Sequence, residues 1–315
     1  MANIVGCACD GTTKNTGYLG QQLFGIKTSK FIVPILAADG TRNGLDLTQP
    51  NLGAELLGKV NNPDPSKRWY PLHELKNFVP EQEDTQFATT NGGENFFLRK
   101  GIKSDTYELW GQSAQLYAKI EQFCFDFGIV EVDECGNVRG YKESATATML
   151  YPRPVTTQSW DARYMDADDS NVARIMVTYQ FKKTDTHAKL WLVPSKEFGA
   201  LNPLSLKGLV DVIATATPLT NTTIQLDVKG TFGNALNLIP IQGLIAADTT
   251  VLNVTTGSAQ VVDTLVADAV VKGRYVLTFV AAPTTADVLN ISVFKAAVSA
   301  ITQGYEGAAN GVVSL

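Results

Sequence analysis

Ala173-Arg174-Ile175-Met176-Val177-Thr178-Tyr179-Gln180-Phe181 is the stretch whose reading decides the fold. Ile175, Val177, Tyr179 and Phe181 alternate with Arg174, Met176, Thr178 and Gln180. A period of two over nine residues suits a strand with one face on a core and does not suit a helix. Lys189–Val193 is expected to be its hairpin partner, across Lys183–His187. Upstream, Thr85–Thr89 and Asn95–Arg99 flank Asn91-Gly92-Gly93, a hairpin signal. Ser104–Trp110 reads as a further strand. Ile129–Val132 is expected to turn at Cys135-Gly136-Asn137 and return as Val138–Lys142; bare of charge except for Glu131, it is also expected to offer a sheet edge for pairing between copies. Between them Ser113 suits a helix N-cap, and Leu116, Ile120 and Phe123 fall on one helical face.

Nearer the N-terminus the pattern weakens. Residues 1–25 are rich in Gly, Thr and Asn and read as an extended arm. Phe31–Leu36 is a short strand candidate. Residues 37–75, with Asn61-Asn62-Pro63-Asp64-Pro65, read as a long irregular loop, and a loop of that length is usually functional.

Downstream the composition changes. All four tryptophans (Trp69, Trp110, Trp160, Trp191) precede Phe198, and only five of the 26 basic residues follow it. Gly199, Pro203 and Gly208 punctuate Glu197–Gly208 and mark a boundary. Beyond it Ile224, Leu226 and Val228, then Tyr275, Leu277 and Phe279, then Leu289, Ile291 and Val293 alternate with other residues. Short alternating strands broken by glycines predict a small immunoglobulin-like β-sandwich. The expected organisation is mainly β. Residues 1–200 form a sandwich- or barrel-like assembly domain with one flanking helix. Residues 208–302 form the small sandwich, folding on their own, and residues 303–315 are a small polar tail.

Composition narrows the function. The chain has 315 residues, 44% hydrophobic and 18% charged. The charged share is below the roughly 25% of an ordinary soluble domain, which suits a surface covered by neighbours. A net charge of -5 with no basic domain argues against sequence-specific nucleic-acid binding. Met1–Asp10 shows no basic segment leading into an apolar run, so no secretory signal is expected. The most apolar stretch, Leu236–Ala247, is short and broken by Pro240 and Gly243, so no membrane span is expected.

Chemistry-bearing residues are sparse. The only histidines are His73 and His187. His187 follows Asp185 in a polar loop, and both histidines read as ordinary loop residues. Gly111-Gln112-Ser113-Ala114-Gln115 fails a nucleophile elbow at its last position. Gly11–Gly17 lacks the lysine of a phosphate loop. Asp166, Asp168 and Asp169 read as a solvated turn. Cys7, Cys9, Cys124 and Cys135 form no C-x-x-C pair and read as buried or idle thiols, although Cys124 and Cys135 could meet across a hairpin. Trp69-Tyr70 and Trp160 are the best stacking platforms for a sugar, whereas Trp110 and Trp191 read as core. No residue is assigned a catalytic, cofactor-binding or metal-ligating role, no cofactor is expected, and the chain is not expected to be an enzyme.

Asn62-Pro63-Asp64-Pro65-Ser66-Lys67-Arg68-Trp69-Tyr70-Pro71, Glu83-Asp84-Thr85 through Gly101, Leu150-Tyr151-Pro152, Trp160-Asp161-Ala162-Arg163 and Val172–Phe181 carry a resemblance. Over about residues 60–195 the chain resembles virion structural proteins of tailed bacteriophages that infect Bacteroidetes. Its order of strands, one helix and more strands resembles tail-tube subunits. The resemblance implies a homo-oligomeric ring, usually of six copies, stacking into a tube that conducts DNA during ejection. It also implies other tail proteins as partners and assembly in the bacterial cytoplasm into the virion tail. The C-terminal sandwich is similar to immunoglobulin-like domains on phage tails and capsids. The alternatives are a capsid decoration or head–tail connector protein and, in a different class, a glycan-binding module or a glycosidase.

Overall fold

A computed structural model describes residues 24–293, except 63, 73, 90, 92, 113, 122, 124, 185–188, 235–236 and 285, together with 305–306 and 308–314. The fold is mainly β. The chain divides into two units, Met1–Lys207 and Gly208–Leu315.

The first unit carries β1 (Lys27–Pro34), β2 (Leu45–Asp46), α1 (Leu52–Val60), β3 (Tyr70–Leu72), β4 (Leu75–Gln82), β5 (Gln86–Thr89), β6 (Asn95–Arg99) and β7 (Lys103–Trp110). It continues with α2 (Ala114–Glu121), β8 (Phe127–Asp133), β9 (Val138–Tyr141), β10 (Met149–Leu150), β11 (Arg153–Pro154), β12 (Asp161–Met165), β13 (Arg174–Gln180) and β14 (Leu190–Val193). One sheet runs β14-β9-β8-β1-β3, with β11 also on β8, and a second runs β12-β13-β7-β4.

The first sheet is the middle layer. Phe31, Val33, Val130 and Val132 join one core with Leu52, Leu56 and Val60 of α1. From the opposite face Ile32, Phe127 and Ile129 join a second core with Tyr107, Leu109, Ile175, Val177 and Tyr179 of the other sheet. A strand covered on both faces loses the alternation of a half-buried one, and every residue of β8 is buried. On β13, where one face meets the core, Ile175, Val177 and Tyr179 are buried and their neighbours are partly exposed.

Two expectations change here. β14 pairs with β9 and not with β13, whose neighbours are β12 and β7. The connection from Phe181 to Leu190 exceeds the two to five residues of a tight hairpin, and it carries the chain from one sheet to the other. Within residues 37–75 lie β2, α1 and β3. Asn51 caps α1 by accepting from the Ala54 amide at 3.0 Å, and Leu52, Leu56 and Val60 recur every fourth residue on its buried face. The single expected helix, α2, is present as well, with Ile120 buried and Leu116 and Phe123 packed on the second core. Its expected cap, Ser113, and the expected arm of residues 1–23 lie outside the described residues.

The second unit carries β15 (Val210–Thr220), β16 (Thr223–Asn234), β17 (Asn237–Pro240), β18 (Thr249–Asn253), β19 (Ser258–Gln260), β20 (Val262–Ala267), β21 (Arg274–Phe279), β22 (Val288–Val293), β23 (Tyr305–Glu306) and β24 (Ala308–Ser314). Two sheets, β20-β21-β16-β15-β23 with β17 on β16 and β19-β18-β22-β24, share one core. That core takes Ile224, Leu226 and Val228 from β16, Tyr275, Leu277 and Phe279 from β21, and Leu289, Ile291 and Val293 from β22. The polar tail expected from residue 303 is replaced over 305–306 and 308–314 by strands. β24 pairs with β22 from Val288↔Ser314 to Val293↔Ala308. Ala308, Val312 and Val313 suit a strand, but flanking glycines hide the pattern.

Candidate assembly surface

β4 and β7 pair along the edge of their sheet, with β13 on the other side of β7. The register runs from Leu75↔Leu109 to Gln82↔Lys103, and the Glu83 amide donates to Ile102 O at 3.0 Å. The strands continue as a separate β5–β6 hairpin pairing Gln86↔Arg99 to Thr89↔Asn95. Gly101 permits the crossing, because a Cβ there would lie 1.6 Å from the Glu83 carbonyl oxygen. Arg99 ties the base to Glu83 at 3.1 Å.

The hairpin is apolar on both faces. Phe96 and Leu98 point one way, and Phe97 points the other beside its cross-strand neighbour Phe87, with ring centroids 6.3 Å apart. All four are more than half exposed. A two-stranded ribbon is at best marginally stable alone, and half-exposed aromatics on both faces invite a cover. Completing the burial of four such side chains is worth about 4 kcal/mol at roughly 1 kcal/mol each, about a thousandfold in affinity.

Sheet edges offer a second contact. β8, expected to present a bare edge around Ile129–Val132, is internal: β1 lies on one side, and β9 and β11 share the other. Its apolar run reflects burial on both faces. The outermost strands of the two large sheets are β14, β3, β12 and β4. Asp161 and Arg163 guard β12 as an ion pair at 2.6 Å, whereas β14 is the uncharged Leu190-Trp191-Leu192-Val193.

The remaining singled-out residues separate. Trp69 is fully buried against Phe31, and Trp160 stacks on Tyr179 at 5.7 Å while its indole donates to Ile120 O. Trp69 offers no face to a sugar, and one face of the partly exposed Trp160 is covered by Tyr179. Exposure is reversed for the other two: Trp110 and Trp191, expected in the core, are 44% and 41% exposed. The Trp110 indole donates to Glu108 at 2.6 Å, and the Lys142 ammonium lies over Trp191. Each sits on the outward face of its strand: Trp110 shares the Thr106 and Glu108 side of β7, opposite Tyr107 and Leu109, while the four residues of β14 are too few to show alternation. Asp168 accepts from the Ser170 and Asn171 amides and the Asn171 side chain, which hold its carboxyl below the usual range. Among the described residues no three His, Cys, Asp or Glu side chains gather to hold a metal. His73, Asp185, His187, Ser113, Cys7, Cys9 and Cys124 lie outside the described residues. Cys135 is disulfide-bonded, which corrects its reading as an idle thiol. No described helix is long and apolar enough to cross a membrane.

Family models, characterised proteins and solved structures give no match to this chain.

A feature the sequence reading missed lies between the two sheets of the first unit. Lys27 and Lys30 of β1, Glu131 of β8 and Asp105 of β7 are all buried there. The Lys27 ammonium bridges Asp105 Oδ2 at 3.1 Å and Glu131 Oε1 at 2.6 Å, and Lys30 Nζ reaches Asp105 Oδ2 at 3.1 Å. Arg153 and Arg139 close on Glu131 at 2.8 and 2.7 Å. Burial raises the Glu131 carboxyl, but Arg153, Lys27 and Arg139 outweigh it and hold the group well below the usual carboxylate range. Burial lowers Lys30 to about 8 against the opposing pull of Asp105. Burial also raises the Tyr107 and Tyr179 phenols. The signal was present in Lys27, Lys30 and Glu131, which are charges inside strand runs, but which charges face each other depends on register.

Proposed function

We propose that this chain is a structural subunit of a repeating assembly, a tail-tube protein of a tailed phage. The carrying observation is the β5–β6 hairpin, whose two faces expose Phe87, Phe96, Phe97 and Leu98. A surface of this kind is covered by a neighbouring copy, and the low charge content of the chain agrees with that. The tail-tube assignment rests on the sequence resemblance over residues 60–195. In this reading β14, the uncharged outer strand, pairs laterally within a ring. The hairpin reaches the next ring. A repeated head-to-tail contact either closes or forms a filament, so rings and stacked tubes are the permitted products.

Sedimentation velocity across a concentration series, with negative-stain microscopy, tests the reading. Rings or stacked tubes are expected for the intact chain. Phe96→Ser/Phe97→Ser is expected to remain folded and to lose stacking. A chain that stays monomeric at high concentration and also with its tail-tip complex contradicts the proposal.

A further inference from the structure

Ion pairs inside a β-sandwich contribute little stability, because desolvation offsets their attraction and apolar replacements often do as well or better. The first unit nonetheless holds Lys30 and Asp105 against each other in its core, one from each sheet. Their side chains are 0% and 3% exposed, and Lys30 Nζ lies 3.1 Å from Asp105 Oδ2. The rings of Phe78, Tyr107 and Tyr179 surround the amine, with centroids 4.4 to 4.8 Å from Nζ. Were one proton to move within this water-poor pair, the ammonium and carboxylate would become an amine and a carboxylic acid, the forms that condense.

Tyr179 completes the arrangement. Lys30 Nζ donates to the Tyr179 hydroxyl at 2.5 Å, and that hydroxyl donates to Asp105 Oδ2 at 2.9 Å. The chain N–H to O–H to Oδ2 is a path by which a proton leaves the amine and reaches the carboxyl oxygen. The Lys27 ammonium spans both carboxyl oxygens, 3.3 Å from Oδ1 and 3.1 Å from Oδ2, where it would stabilise negative charge developing on the carboxyl group. Trp160, stacked on Tyr179, fixes the relay.

We propose that Lys30 and Asp105 condense spontaneously into an intramolecular amide that staples the two sheets of the first unit. The Nζ lone pair attacks Asp105 Cγ. The departing Nζ proton passes to the Tyr179 oxygen as the Tyr179 proton passes to Oδ2. The Cγ–Oδ2 bond then breaks, one water leaves, and an Nζ–Cγ amide remains with Oδ1 as its carbonyl oxygen. No oxidant or co-reactant is required. Lys30 acts as nucleophile, Tyr179 as proton relay and Lys27 as electrostatic stabiliser, with Glu131 holding Lys27 in place. Proximity of the reacting groups, about 3 Å apart in a water-poor site, supplies the effective concentration such a condensation needs. The inference is independent of the assembly reading.

Intact-mass spectrometry of the folded, thiol-reduced full chain is the test. The expected mass is one water below the sequence mass, with a tryptic fragment in which the Lys30 and Asp105 peptides are joined. Lys30→Arg is expected at its full sequence mass. Tyr179→Phe is expected to retain a larger unreacted fraction after the same incubation. A folded parent chain at full sequence mass overturns the proposal, as does a one-water loss that maps to another pair such as Lys27 and Asp105. Equal conversion in Tyr179→Phe refutes the relay.

Discussion

In the second unit the core cluster of the sandwich is built from aliphatic and aromatic side chains, and its one phenol, Tyr275, donates to Ile241 O at 2.9 Å. In the first unit the strands that face each other across the sandwich bring Lys27, Lys30, Glu131 and Asp105 into the interior beside Ile129, Val177 and Tyr179. Both interiors are closed, yet they fail differently. Removing an apolar side chain leaves a cavity, while removing one buried charge leaves its partners unpaired in a low-dielectric site. The second unit also buries carboxylates, Asp248 and Asp287, but they accept from neighbouring amides and Asn253, whereas in the first unit opposite charges meet across the two sheets. The Lys30–Asp105 condensation is the role proposed for that cross-sheet pair.

The predictions test this contrast in order of expected size. The largest effect is expected from ending the chain at residue 302. β22 would then lose β24 and become an edge, with Leu289, Ile291 and Val293 less covered. The far-UV circular dichroism melt should lose the cooperative transition of the second unit. A retained sharp transition would show that 208–302 folds alone. Next, Glu131→Ala leaves Arg153, Arg139 and Lys27 uncompensated, and the first unit should lose about 3–5 kcal/mol. All four tryptophans lie in that unit, so fluorescence in a urea titration reads it selectively. A loss below about 1 kcal/mol would mean that water reaches the site. Leu226→Ala in the second unit should cost about 2–5 kcal/mol by circular dichroism. It should leave the tryptophan midpoint in place, because sites without shared partners act additively. The smallest effect on stability, within about 0.5 kcal/mol, is expected for Phe96→Ser/Phe97→Ser, whose side chains are already exposed. A large destabilisation there would mean that the hairpin packs on its own unit.

The expression "charged residue in a strand" has opposite meanings in the two units. On β16 and β21, Asp227 and Arg274 pair at 2.8 Å on the partly exposed outward side, where alternation puts polar groups. On β1 and β8 the same residue types point into the core, because the middle sheet has no solvent face. Alternation therefore reads the second unit well and misreads the centre of the first. The expected edge at Ile129–Val132 failed for this reason.

The sequence by itself determined the mainly β class, the strands with one buried face, the β5–β6 hairpin signalled by Asn91-Gly92-Gly93 and the compositional break near residue 200. These follow from nearest-neighbour chemistry: period-two alternation, turn-forming residues and local composition. It also carried α1, in Asn51 and the four-residue spacing of Leu52, Leu56 and Val60, a signal hidden among prolines and asparagines. Tertiary structure alone decided that β14 joins β9, that β8 is internal, that 308–314 closes the second sandwich and that Trp110 and Trp191 face outward. It alone set Lys30 against Asp105, 75 residues away in sequence. Pairing and facing between distant strands are set by which apolar faces cover one another, a property of the assembled chain that no local window contains.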